Sequence, residues 1–166
     1  MIADNISLNT QNSIRIATSI GNIYIDPLSI KSEPHDATFI LITHEHYDHY
    51  SPEDILRVCN EDTILVVPEK MVDDTGDLVD SVGLITTVMP DIHKEISGLI
   101  IDTIPAYNKL KPFHPKRAGW VGYILTVDDT RIYIAGDTDI TNENEVVNCD
   151  IAIVPIGGKY TMNAIQ

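Results

Sequence analysis

Apolar and polar residues alternate with a period of two along most of the chain, and the apolar runs are rich in Val, Ile and Thr. This is the pattern of strands with a buried face. It predicts strands over 13–19, 22–26, 38–43, 63–67 and 83–89, then over 99–104, 120–127, 131–135 and 151–155. Gly21-Asn22 carries a tight-turn signal, so the first two strands read as a hairpin ending at Asp26-Pro27, and Asp128-Asp129-Thr130 reads as a second hairpin turn. Helical signals are fewer. Ser51-Pro52-Glu53-Asp54 offers an N-cap, a proline at the first helical position and an acidic first turn leading into Ile55-Leu56-Arg57-Val58. Weaker helices are expected over 69–74, after Pro68, and over 142–148, after Thr141. No internal repeat or linker tract interrupts the pattern, so the reading is one α/β domain over 1–166. The chain stops soon after the last predicted strand, at Tyr160 to Gln166, and reads as incomplete there, without a closing helix.

With 166 residues, the chain can bury a core without disulfides or metals as staples. The 25 acidic against 11 basic residues leave a formal charge of -14, which argues against nucleic-acid partners and against anionic membrane surfaces. The N-terminus lacks a basic, then apolar, leader, and no stretch has the length of a membrane span, so the expected location is the cytoplasm. Cys59 and Cys149 each follow a predicted helix outside any C-x-x-C pair, and are read as idle thiols.

Chemistry concentrates in Thr43-His44-Glu45-His46-Tyr47-Asp48-His49-Tyr50, which holds three of the six histidines. Residues two apart on extended backbone project to one side, so His44 and His46 can meet at one point. A turn after them lets Asp48 and His49 face a second point. Imidazole and carboxylate without thiolate suit a borderline divalent ion at a catalytic rather than a purely structural site. The cluster lies between an apolar strand and a capped helix, in the kind of loop that presents functional groups. Asp137 follows another strand through a glycine, at a strand end that could deliver a bridging carboxylate.

The His44, His46, Asp48, His49 pattern matches the H-x-H-x-D-H loop of the metallo-β-lactamase superfamily. The resemblance extends to Asp26-Pro27, Ala135-Gly136-Asp137-Thr138 and Val154-Pro155-Ile156-Gly157-Gly158. Ala106-Tyr107-Asn108, Phe113-His114-Pro115-Lys116 and Gly119-Trp120-Val121-Gly122-Tyr123 resemble the small metal-dependent hydrolases related to L-ascorbate-6-phosphate lactonase. The resemblance implies an αββα sandwich with its metal site along one edge. It also implies one or two divalent ions, zinc first with manganese or iron as alternatives, held by His44, His46, Asp48, His49, His114 and Asp137. Whether His114 or Asn108 faces the metal stays open at this stage. Family members usually continue to a last histidine, and none follows His114 here.

Lys109, Lys111, Lys116 and Arg117 fall within nine positions, and no Asp or Glu occurs from Thr103 to Val127. Such an island could hold an anion, with Asn108, Lys116 and Arg117 as substrate contacts, or could simply offset the acidic surface. The expected activity is hydrolysis of a small, anionic lactone, ester or phosphoester by metal-activated water, with Asp48 orienting the nucleophile. A non-catalytic metal-binding module is the competing reading. A homo-oligomer is compatible with either.

Overall fold

Strand alternation gives way to continuous apolar runs where strands are covered on both faces, as parallel strands are. Phe39-Ile40-Leu41 and Leu65-Val66-Val67 are such runs, and all six residues are fully buried. They belong to a six-stranded sheet whose strands lie in chain order: β1 (Ile6–Thr10), β2 (Ser13–Thr18), β3 (Gly21–Ile25), β4 (Ala37–Leu41), β5 (Ile64–Pro68) and β6 (Leu84–Val88). The β1/β2 and β2/β3 pairs are antiparallel, and the remaining pairs are parallel. The computed structural model describes residues 2–165, and the chain divides into a first unit ending at Val88 and a second beginning at Met89.

Between β4 and β5 the chain crosses over through α1 (Pro52–Val58). The Ser51 hydroxyl accepts from the Asp54 amide, Pro52 occupies the first turn, and Glu53 and Asp54 complement the positive end of the helix. Ile55 and Val58 pack with Ile40, Ile42, Leu65 and Val67, each burial contributing about 1.5–3 kcal/mol. Asp54 also reaches away from the helix: its carboxylate accepts from the Ser29 amide at 2.9 Å and the Ile30 amide at 2.8 Å, pinning the loop after β3. The segment expected to be helical from residue 69 is a 3-10 helix, Glu69–Leu78, which contributes Met71 and Leu78 to the same cluster.

The second unit is a five-stranded sheet of β7 (His93–Ile96), β8 (Leu99–Pro105), β9 (Val121–Val127), β10 (Thr130–Ile134) and β11 (Ile151–Ile153), in the order β11-β10-β9-β8-β7. All pairs are antiparallel except β10/β11, which are parallel and joined through α2 (Asn142–Glu145). Thr141 and Asn144 form a reciprocal capping box at the start of α2. Asp128 and Asp129 carry φ of 50° and 56°, the backbone of a two-residue type I′ turn between Val127 and Thr130, so the second hairpin stands where the sequence places it.

The first hairpin turns two residues before Gly21-Asn22, at Ser19-Ile20, because Thr18 pairs with Gly21. Gly21 is the first residue of β3, at φ 114°, and a Cβ there would lie 1.9 Å from Thr38 Oγ1. Two strands, β1 and β7, have no counterpart in the sequence reading. Both are sheet edges. Their residues are mostly exposed or half-buried, so no core-facing periodicity was imposed on them. The helix expected over 142–148 shortens to α2, and the last strand ends at Ile153 rather than Pro155.

Asp54→Ala removes the acceptor that the Ser29 and Ile30 amides share and is expected to lower unfolding free energy by about 1–2 kcal/mol in a denaturant titration. Glu53→Ala, which removes only an exposed pair with Arg57, should change it by about 0.5 kcal/mol or less.

Candidate metal centre

In the first unit the chemistry gathers where parallel strands end, the usual position for functional groups on open sheets. Asp26 follows β3, Thr43 and His44 follow β4, and the residues from His46 to Tyr50 form a turn closed by the His49 and Tyr50 amides on the His46 carbonyl, at 2.8 and 2.9 Å. Asp26 is 1% exposed and holds an unfavourable φ of 46°. Its Oδ1 accepts from the Thr43 amide at 2.8 Å. Its Oδ2 accepts from the Thr43 hydroxyl at 2.7 Å and from His49 Nδ1 at 2.7 Å.

These contacts assign the tautomers of the neutral rings. A carboxylate only accepts, so His49 carries its proton on Nδ1 and presents a lone pair at Nε2. The Thr43 hydroxyl proton is spent on Asp26, so the same oxygen accepts from His44 Nδ1 at 3.0 Å, and His44 likewise presents Nε2 as a lone pair. One buried carboxylate therefore fixes the ligand-competent tautomer of two imidazoles.

His44 Nε2 lies 3.1 Å from His46 Nδ1, and the His44 and His49 ring centroids are 3.9 Å apart. Two nitrogens bound at about 2.0–2.1 Å to one tetrahedral ion are separated by about 3.3 Å, so the His44/His46 spacing fits a shared divalent cation. Asp48 is half-buried in the turn, and no trio of ligand-type side chains that includes it comes together among the described residues.

In the second unit, Asp137 follows β10 through Gly136, whose φ is 63°. His114 lies in the loop between β8 and β9, also with a positive φ, 53°, and its ring is 3% exposed against Trp120. His114 Nε2 stands 3.3 Å from Asp137 Oδ2, again a ligand-to-ligand spacing. Asn108 is on the other side of the ring: its Nδ2 is 3.2 Å from His114 Nδ1 and donates to the Tyr160 carbonyl, while its amide donates to the His114 carbonyl. Within this unit the ring nitrogen opposite Asn108 is the one directed at Asp137, and Asn108 braces the histidine.

The basic island finds partners from outside its own stretch of sequence. Lys111 pairs with Asp139 and donates to the Thr161 carbonyl, and Lys109 donates to Asn142. Lys116 pairs with Glu143 and lies over the Tyr107 ring, whose hydroxyl also donates to Glu143. Arg117 is exposed in the 3-10 turn Lys116–Ala118. Sequence reasoning missed what Asp26 does beyond ending a strand, and missed Thr43, whose side chain acquires its role only through a contact distant along the chain.

Residues 5–166 match the Beta-lactamase superfamily domain family, and the chain belongs to it. The fold is the metallo-β-lactamase fold, with two sheets and few helices. A UPF0173 metal-dependent hydrolase of Thermococcus onnurineus is 32% identical over 153 residues, which covers 84% of this chain and 66% of that protein. A crystal structure from Parabacteroides distasonis, named as a candidate metal-dependent hydrolase, is 32% identical with a TM-score of 0.78, covering 95% of this chain and 72% of the other. A metallo hydrolase from Ignicoccus hospitalis, 22% identical with a TM-score of 0.74 over 97% of this chain and 74% of its own, bears on the fold alone. This chain spans 57–66% of the length of the first curated relatives it matches. Among the described residues no helix is long and apolar enough to cross a membrane.

The hydrogen bond from Lys116 holds the Glu143 carboxyl down at about 2, with the Tyr107 hydroxyl and the Lys116 charge adding to it. A depressed folded-state value stabilises the fold above the ordinary carboxylate range, and that contribution fades as pH falls from about 4.5 toward 2. An NMR pH titration should find Glu143 among the last carboxylates to protonate, and Lys116→Met should return it to the ordinary range.

Proposed function

We propose that the chain is the metal-binding part of a hydrolase acting on a small anionic substrate, a lactone, ester or phosphoester. The observation that carries the reading is the buried Asp26–Thr43–His44/His49 network, which makes the Nε2 atoms of two imidazoles acceptors at a strand end, beside His46. Such anchoring of the ring nitrogen opposite the ligating one is typical of metal-ligating histidines. His44, His46 and His114 would hold one ion, and Asp48, His49 and Asp137 would hold a second. A bound divalent ion supplies a Lewis acid and, by lowering the pKa of water to about 7, a hydroxide nucleophile at neutral pH.

The chain's own groups do the rest. Asp26 keeps His44 and His49 aimed through their Nδ1 protons. Asn108 and the Tyr160 carbonyl hold the His114 ring from its Nδ1 side. Asp48, half-buried in the histidine turn, is the carboxylate assigned to orient the attacking water. Arg117 is the cation of the island assigned to the substrate anion, with Lys116 joining it when the anion displaces Glu143. Zinc is the first candidate ion, and manganese or iron would satisfy the same donors. Relatives named metal-dependent hydrolases support the class. A cytoplasmic location completes the proposal.

The test is metal analysis of protein purified without added ions, together with assays on lactones and phosphoesters. One to two ions per chain are expected, with His44→Ala losing metal and all turnover. Protein that takes up neither zinc nor manganese would end the reading. For the anion, Lys116→Ala with Arg117→Ala is expected to raise KM about tenfold for charged substrates and leave neutral ones alone. An unchanged KM for every anionic substrate would remove that assignment.

A further inference from the structure

Away from the histidine loop, the first unit carries a groove that the metal chemistry does not use. It lies between the 3-10 helix Glu69–Leu78 and the edge strand β6, has a volume of about 520 Å³, and is lined by the apolar side chains of Val72, Val79, Val82, Leu84 and Ile85. Val82 is part of the core cluster that holds Ile55 and Leu65, and Ile85 packs against that cluster, so the floor of the groove is continuous with the core. Val72, Val79 and Leu84 are 43%, 57% and 47% exposed. Single exposed apolar residues are ordinary, but three that share one concavity form a patch of the kind that marks interaction surfaces.

The rim is acidic. Residues 69–80 carry Glu69, Asp73, Asp74, Asp77 and Asp80 against Lys70 alone. Asp73 lines the groove, and the exposed Asp77 and Asp80 adjoin Gly76 and Val79, which line it too. Gly83 is a further lining residue, and a Cβ there would lie 2.6 Å from the Glu61 carbonyl oxygen. The exposed Glu61-Asp62 turn therefore abuts the groove beside Gly83. Among the described residues no basic side chain pairs with Asp73, Asp77, Asp80, Glu61 or Asp62.

This charge selects the occupant. It repels anions and nucleic acid, and a second copy of the chain, at a net -14, would bring more acid than base to it. Asp73 and Asp77 are about 8 Å apart along the helix axis at about 2.0 Å per residue, and the Glu61-Asp62 turn adds charge elsewhere on the rim. Carboxylates spread around an apolar floor are matched by a chain that sets Lys or Arg among apolar anchors, more fully than by a small cation with one charge.

We infer that this groove docks a basic amphipathic peptide segment of another protein. Its apolar side chains enter between Val72, Val79 and Leu84, and its cations meet Asp73, Asp77 and the Glu61-Asp62 turn. The inference stands on the groove alone and not on the metal centre.

The test uses the full chain and a fluorescently labelled amphipathic peptide of Leu and Lys, read by anisotropy at physiological salt. Saturable binding is expected. A peptide with Glu in place of Lys is expected not to bind, and a Lys-only peptide to bind at least tenfold more weakly. Gly76→Trp, at a position where an added Cβ meets nothing within 4 Å, fills the groove and is expected to weaken binding at least tenfold. Asp73→Asn combined with Asp77→Asn is expected to weaken it at least fivefold and to flatten its salt dependence. Thermal melting checks the fold of each variant, and the Asp73/Asp77 pair carries the test if Gly76→Trp melts lower. Absence of saturable binding overturns the inference, as does binding by well-folded Gly76→Trp within twofold of the unchanged chain, which would put the peptide elsewhere on the acidic surface. A Lys-only peptide that binds as tightly as the Leu and Lys peptide also overturns it, because the apolar floor would then be idle. Hexylammonium binding as tightly as the peptide would make a small cation the occupant, and self-association lost in Gly76→Trp would make it a second copy; either result overturns the peptide assignment.

Discussion

The arrangement of the first unit's chemistry depends on one carboxylate taken out of water. Asp26 is almost wholly buried, and a bare buried carboxylate would cost several kcal/mol. It is offset by three donors, the Thr43 amide, the Thr43 hydroxyl and His49 Nδ1, and each donor lies on the segment that follows the neighbouring strand. Satisfying Asp26 thus fixes the exit path of β4, the rotamer of Thr43 and the orientation of two imidazoles at once. The positive φ at Asp26 is accepted because the surrounding contacts over-determine it.

The strand ends make this possible. Asp26 extends the β3/β4 ladder through its amide on the Leu41 carbonyl, and Ile42 extends β4/β5 through the Val66 carbonyl. The backbone beneath the histidine loop is consequently as rigid as the sheet, although the loop itself is irregular. The same economy recurs in the second unit, where Ala135 extends the parallel β10/β11 pairing through the Ile153 carbonyl just before Gly136 and Asp137. Function is carried by short irregular segments, and precision comes from the ladders that run up to them.

Much of this was legible in the sequence because it rested on local signals. Apolar runs such as Phe39 to Ile42 located buried strands, Ser51-Pro52 located α1, and the spacing of His44, His46 and His49 located a cluster of ligand type. What escaped depended on contacts between distant residues. The edge strands β1 and β7 lack a buried face, so periodicity could not mark them. The lysine island looked unpartnered along the chain, yet Asp139 and Glu143 reach Lys111 and Lys116 from 28 and 27 residues away.

The Asp26 network has a consequence for how an ion would come and go. In small zinc modules the metal organises its own ligands, so chelation unravels them. Here the imidazoles of His44 and His49 are also held from their Nδ1 side by buried oxygens of Thr43 and Asp26. Loading and unloading of an ion would then be exchange reactions on a standing scaffold.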